Sequence, residues 1–413
     1  MKKKILSSVI LNMVLLFMLI YTVNISNIPQ ELVLFQGEEY VYNTIIGIDF
    51  FEEGVSHTET KEASSSLNKK LINTDAIGRT DIDINIFGIV KVKEVSVSVI
   101  PKTTVIPCGS SIGIKLRTDG VLVIGKSSVE GYDNKLYKPY EGSDIKEGDL
   151  IIEINNNKIV TVQDLTDMIN KSEGKDISIK YNRDDSIYTT SIEPIKASDD
   201  KYKIGLWVRE GNAGVGTLTF YHPESKTFAA LGHGILDVDT EKLLKISTGD
   251  LLKSNVIYIS KGKRGEPGEL KGTITGQPII GTINKNSTFG VYGTLTDTSA
   301  INLNRENEIE VALRNEIREG SAKIWCSVDD SGIKEYNVEI KKIFKNSDET
   351  NKNMIIKVTD DELIDKTGGI IQGMSGSPIV QNGKFIGAVT HVMINDPTVG
   401  YAVFADIMIK NML

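Results

Sequence analysis

The chain has 413 residues, 40% hydrophobic and 25% charged, which is enough for two or three domains with separate cores. Its formal net charge of −8 does not supply the basic face that nucleic acid requires, so nucleic acid is excluded as the main partner. Two cysteines, Cys108 and Cys326, make no disulfide framework and read as buried free thiols. The histidines, His57, His222, His233 and His391, are not clustered with them at metal-ligand spacing, so neither a metal nor another cofactor is expected.

In chain order, Met1-Lys2-Lys3-Lys4 precedes an uncharged run from Ile5 to Val23, about 28 Å long as a helix and sufficient to cross a bilayer core. The lysines hold the N-terminus in the cytoplasm, and no small-x-small cleavage site follows. Residues 1–25 are therefore expected to be an uncleaved membrane anchor, with the remainder exported. Residues 26–100 read as a strand-rich region with a linker. LVLF at 32–35 and YNTIIGIDFF at 42–51 are strand-like, and 55–75 is a polar linker in which His57 is solvated. The stretch from Asp83 to Ile100 largely alternates apolar and polar residues, as a strand does.

Residues 101–196 resemble a PDZ domain, a small α+β unit. The segment from Pro107 to Leu116, PCGSSIGIKL, resembles the carboxylate-binding loop and strand of that family. The resemblance implies that Ser111, Ile112, Gly113 and Ile114 line a groove for a peptide or a chain segment. Gly148-Asp149 before the apolar run 150–154, and Thr161 capping a helix that carries Leu165, Met168 and Ile169 on one face, fit the same pattern. Ile177, Ile179 and Tyr181 alternate along a closing strand, while Tyr140–Asp144 departs from the small apolar residues usual there. The plainer reading is a small α+β domain that binds no peptide.

Residues 197–413 are dominated by strand patterns and glycine turns, which predicts barrels or a sandwich. The chain as a whole therefore reads as mainly β. Near its end, TGGIIQGMSGSPIV places Ser375 between Gly373 and Gly376, so that its hydroxyl would project from a tight turn with open approach. The backbone N–H groups of Gly373 and Ser375 could form an oxyanion hole. Asn382-Gly383 predicts a hairpin returning through Phe385–Val392. A lone Gly-x-Ser-Gly also serves as a simple turn. The longer motif between strands resembles the nucleophile turn of chymotrypsin-like serine proteases, whose fold is a β-barrel.

A serine nucleophile needs a base, and the base needs an orienting carboxylate. His222 lies before Pro223 in a polar turn and is discounted. His233 sits in the crowded turn AALGHG and precedes Ser375, which gives the chymotrypsin-like chain order; His391 follows the nucleophile. Asp360, at a predicted strand end, is the first carboxylate candidate, with Asp361, Asp297, Asp237 and Asp239 open. Ser377 is a weaker nucleophile candidate because Pro378 adjoins it. The strand that follows the hairpin would wall the substrate pocket. There Gly387 leaves space, and His391 offers a hydrogen bond to a polar substrate side chain.

The apolar N-terminal run, the PDZ-like region, ALGHGILDVDT and TGGIIQGMSGSPIVQNGKFIGAVTHVMINDPTVGY together resemble the SpoIVB peptidase family. That resemblance implies that His233, Asp360 and Ser375 are a charge-relay triad. It implies an exported, self-cleaving endopeptidase in the space between the membranes around a forespore. Its partner would be a membrane-bound regulator of an intramembrane protease, cleaved so that a late sigma factor is activated. The competing reading is a PDZ-based binding scaffold whose protease-like domain is inactive.

Overall fold

The computed structural model describes residues 2–38, 40–43, 48–52, 69–72, 74–86, 90–301, 303, 305–329, 331–345 and 350–413; His57 and most of the predicted linker lie outside them. The N-terminal run forms one helix, Lys2–Asn27. Its segment Val9–Ser26 has a mean hydropathy of 2.1 and leaves Leu11, Met13 and Leu19 exposed, as suits a lipid-facing helix or a signal sequence. Next comes a four-stranded sheet in the order Glu31–Phe35, Val90–Ile100, Gly78–Ile86, Ile48–Glu52, the first pair parallel. In Val90–Ile100 burial alternates only over Val95–Val97 and then becomes continuous through Ile100; Val95, Val97 and Val99 pack with Ile28, Leu34 and Ile84.

Two barrels follow. The first consists of Ser111–Arg117, Asn212–His222, Thr227–Ala230, Gly290–Leu295, Glu269–Ser287 and Thr248–Ser260. It closes because Asn212–His222 pairs with both Ser111–Arg117 and Thr227–Ala230. Its interior holds Ile112, Ile114, Leu116, Phe228, Leu251 and Ile283. The second barrel is closed in the order Gly320–Cys326, Lys334–Ile343, Met354–Val358, Asp396–Phe404, Lys384–Met393, Pro378–Gln381. The predicted hairpin joins the last two of these, with Asn382 and Gly383 both at positive φ (51° and 77°), as a two-residue hairpin turn needs. The closing helix Ala405–Met412 buries Asp406 against Arg314 at 2.8 Å, and its Lys410 pairs with Glu31 of the N-terminal sheet.

The α+β unit is an insertion in the first barrel. Its sheet runs Ser186–Ile192, Ile177–Arg183, Leu150–Ile154, Val121–Lys126, Leu206–Arg209. The helix Val162–Lys171 packs Leu165 and Ile169 onto this sheet. Its start is a capping box: Thr161 Oγ1 accepts from the Asp164 N–H, and the Asp164 carboxylate accepts from the Thr161 N–H.

This topology moves two sequence-based boundaries. Thr104–Pro107 and Ser111–Arg117 pair within the first barrel, ahead of the insertion, and Leu206–Arg209 belongs to the insertion, beyond the expected boundary at 196. Ser111–Arg117 is paired along both edges, by Asn212–His222 on one side and Thr248–Ser260 on the other. No edge remains there for a peptide to join. Ile112 and Ile114 point into the barrel core, and a side chain on Gly113 would strike Ile274. Ser111, Ile112, Gly113 and Ile114 are thus barrel residues. The apolar–Gly–apolar pattern that suggested a groove reflects burial.

Candidate active site

The nucleophile loop is held by both barrels. From the first, Thr217 Oγ1 donates to the Gly373 carbonyl at 2.7 Å and the Thr217 N–H donates to the Ser375 carbonyl. From the second, the Gly376 N–H donates to the Val389 carbonyl at 2.7 Å. Gly376 has φ +97°, and a Cβ there would meet the Thr217 carbonyl and the Leu231 N–H. Only glycine lets the loop lie this close to the first barrel. Neither Gly373 nor Ser375 donates its backbone N–H to any group among the described residues. Ser377 is fully buried, its hydroxyl donating to the Met374 carbonyl, so it is no competitor to Ser375.

The base is presented by a turn at the end of Thr227–Ala230. Leu231 and Gly232 both lie at positive φ (70° and 68°), an unusual state for a leucine that turns the chain sharply before His233. Asn286 clamps the next stretch, donating to the carbonyls of Ile235 and Leu244 and accepting from the Ile235 N–H, each at 2.9 Å. The ring nitrogen Nδ1 of His233 lies 2.9 Å from the Gly234 carbonyl and donates to it, which leaves the Nε2 lone pair free. Burial lowers the His233 pKa below its ordinary value and keeps the ring neutral.

His391 completes the cluster. Its ring packs against that of His233, with centroids 5.0 Å apart and planes inclined by 35°. The carbonyl of Thr390, one residue earlier, accepts the Ser375 hydroxyl at 2.7 Å. Burial pushes the His391 pKa down to about 4, helped by His233 and Lys352. The structure therefore brings together Ser375, Gly373, His233 and His391 at the seam between the barrels.

Two expected site residues make other contacts in this structure. Asp360 is the N-cap of the helix Asp361–Thr367, accepting from the Leu363 N–H and from both the backbone and the side-chain nitrogen of Asn337. The row containing His391 runs through Tyr401 to Ile355, and Asp360 follows the end of that strand at Val358. Its strand-end position was legible in sequence; its use as a cap, three residues before Leu363, was the overlooked signal. Gly387, expected in the substrate pocket, lies inside the second barrel against Val403 and Met354. Among the other carboxylates considered, Asp237 is buried and bound by Arg209 and Thr240, and Asp239 also faces Arg209. Among the described residues no carboxylate forms an ion pair with His233.

A second groove lies in the insertion. The strand Leu206–Arg209 is paired on one side only, by Val121–Lys126. Between it and the helix Val162–Lys171 lies a cavity of about 490 Å³ whose lining includes Leu165, Ile169, Ile204, Leu206 and Val208. The sequence signal was Ile204-Gly205-Leu206, a glycine turn opening a strand after a helix rather than before it.

The family model described as SpoIVB peptidase S55 matches residues 200–409. A solved structure, the PDZ domain of the SdrC-like protein from Listeria monocytogenes, is similar at 27% identity over 22% of this chain and 87% of its own, with a TM-score of 0.18. No curated protein matches the chain. The family match spans half of the chain and contains His233, Ser375 and His391, so the cluster at the barrel seam lies within the matched region. The chain belongs to the SpoIVB peptidase S55 family.

Proposed function

We propose that the chain is an exported, membrane-associated serine endopeptidase with Ser375 as nucleophile and His233 as general base. The observation that carries this reading is the meeting of the Ser375 loop and the His233 turn, from separate barrels, at the strand Thr390–His391, with the backbone N–H groups of Gly373 and Ser375 not donated to any group among the described residues. In the reaction, the Ser375 hydroxyl leaves the Thr390 carbonyl, gives its proton to Nε2 of His233 and attacks the scissile carbonyl carbon. The N–H groups of Gly373 and Ser375 receive the oxyanion, and His233 returns the proton to the leaving amine. Water then repeats the sequence to free the acyl group.

The apolar helix Lys2–Asn27 supports anchoring at a membrane. The groove beside Leu206–Arg209 supports capture of an extended peptide by strand addition, from a protein substrate or from the chain itself. Membership in the family supports a sporulation role. On that reading the enzyme cleaves itself and a membrane-bound regulator of an intramembrane protease, in the space between the forespore membranes, so that a late sigma factor is activated.

The test is mass spectrometry of the purified full chain after incubation, with and without Ser375→Ala, together with labelling by a fluorophosphonate. Self-cleavage and label confined to the wild type are expected. Unlabelled wild type that releases no peptide would leave the binding-scaffold reading in its place.

A further inference from the structure

Resting on the peptidase reading above, we propose that Leu270 and Ser377 are positioning residues for the oxyanion hole, each holding from behind the carbonyl of one of its two donor peptides. A peptide unit is planar and trans, so its C=O and N–H point in opposite directions. The N–H of Gly373 shares a unit with the carbonyl of Gln372, which accepts the Leu270 N–H at 2.8 Å. The N–H of Ser375 shares a unit with the carbonyl of Met374. That carbonyl accepts twice from Ser377, from its N–H at 3.0 Å and from its hydroxyl at 2.7 Å. Each fixed carbonyl sets the direction of the N–H across the bond, and neither N–H is donated to any group among the described residues.

The two holds come from different barrels. Ser377 follows the nucleophile in the chain and is fully buried, so water does not compete for its bond to the Met374 carbonyl. Leu270 comes from the first barrel, on the hairpin formed by Thr248–Ser260 and Glu269–Ser287, whose tip crosses the seam. There the Gly262 N–H donates to the Thr367 carbonyl and the Gly265 N–H to the Ile394 carbonyl, each at 2.8 Å. The Gly268 carbonyl accepts the Gln372 N–H at 2.8 Å, so the hairpin grips Gln372 by both of its backbone groups. The buried side chain of Leu270 also lies where a Cβ on Gly373 would stand. Gly373 has φ +98°, and a glycine there tolerates more than one orientation of the peptide before it. The bond from Leu270 selects one of them. The first barrel thus carries both the base and the hold on one oxyanion donor, and the hole is complete only while the barrels are docked.

The experiment uses the full chain in detergent and two probes, a fluorophosphonate and its thio analogue, in which P=S replaces P=O. Both need Ser375 and its base, but sulfur is a weak hydrogen-bond acceptor and gains little from the hole. Maximal labelling rates are measured against pH for wild type, Ser377→Ala, Ser377→Cys and a chain in which leucic acid replaces Leu270. That replacement turns one N–H into an ester oxygen and keeps the side chain. With the fluorophosphonate, the rate should fall about 100-fold in the leucic acid chain and about tenfold in Ser377→Ala, whose backbone bond to Met374 remains. Ser377→Cys, with a weaker donor in the same space, should lie between Ser377→Ala and wild type. The thio probe should slow less than about threefold in every variant. The acid limb of each rate profile should stay in place, since His233 is untouched. The proposal is overturned if the two probes slow in equal proportion, because that loss lies in the base or the fold. It is also overturned if Ser377→Ala or the leucic acid chain takes the fluorophosphonate within about twofold of the wild-type rate. The Ser377 variants decide the question by themselves if the ester chain does not fold. Wild type that takes no label from either probe overturns the peptidase reading and this proposal with it.

Discussion

The two barrels have the same number of strands and are assembled from different kinds of sequence. The second is continuous: its six strands come from residues 320–404, and its nucleophile loop lies just before the hairpin that closes it. The first is split, with Ser111–Arg117 separated from its neighbour Asn212–His222 by the whole α+β insertion. The nucleophile loop is tied to both barrels, through Thr217 of the first and Val389 of the second, whereas the turn that carries the base extends a local hairpin and is clamped by Asn286, within a barrel that closes only across the insertion. Strand pairings across so long an excursion cost more loop-closure entropy and form later in folding. A lesion on the Ser375 side should abolish chemistry, whereas a lesion on the insertion side should loosen the base.

The largest effect expected on this contrast is loss of Ser375 or His233. Ser375→Ala and His233→Ala should each reduce turnover by about 10⁴-fold or more, with no further loss in the double variant, because the two act as one unit. Single-turnover cleavage of a peptide substrate checks this; additive losses would mean that the barrels act independently.

Next in size are substitutions at the seam. Gly376→Ala places a Cβ against backbone atoms of Thr217 and Leu231, which cannot move aside as a side chain can. It should cost roughly 1–3 kcal/mol from the positive-φ strain alone, separate the barrels at the site and remove activity. Gly383→Ala is the control: φ is +77° and no atom lies within 4 Å of the added Cβ. Its cost should be about 1–2 kcal/mol, with turnover kept. Denaturant midpoints and turnover together separate the two outcomes.

The second barrel was legible because its signals are local. Asn382-Gly383, the alternation in Met354–Val358 and the glycines around Ser375 each act within a few residues. The α+β unit was equally readable from Thr161 to Tyr181, where a capping box and two periodic elements fall in succession. What remained hidden was membership. Ser111–Arg117 has the composition of any buried strand, and nothing local distinguishes a barrel strand paired on both edges from the edge of a peptide groove. The pairing of His391 with His233 was hidden for the same reason, since it exists only when the two barrels meet.

A third prediction probes the insertion side. Arg209, at the end of the exposed-edge strand Leu206–Arg209, pairs with Asp237 four residues after the base. Burial raises the Asp237 pKa, and the bonds from Thr240 and Arg209 outweigh it and hold the carboxyl below its ordinary range. A depressed carboxylate stabilises the fold above its unfolded pKa, near 4, and that contribution fades as pH falls through the lower folded value. Arg209→Met leaves Thr240 and Asp239 as the donors to a buried charge. It should cost about 3 kcal/mol at neutral pH, lower turnover through a mobile His233 loop, and leave Ser375 in place. Amide exchange in residues 233–244 should quicken while that of Pro378–Val392 is unchanged. Equal quickening in both stretches would erase the distinction between the barrels.

The smallest effect is expected at Asp360, and it separates a cap from a catalyst. Asp360 accepts from the Leu363 N–H at the start of Asp361–Thr367, and its other oxygen accepts from Asn337 on the neighbouring strand. All of these partners belong to the second barrel. Asp360→Ala removes a cap and should cost about 1 kcal/mol, seen as a lower melting temperature. Asp360→Ser, which restores a capping oxygen, should recover most of that stability. Turnover measured well below the melting temperature should be close to wild type in both. A catalytic carboxylate would behave in the opposite way: Asp360→Ser would keep its stability and lose turnover by orders of magnitude. The stability and the rate of this one variant therefore decide whether the charge at the end of Met354–Val358 serves the fold of the second barrel or the chemistry between the two.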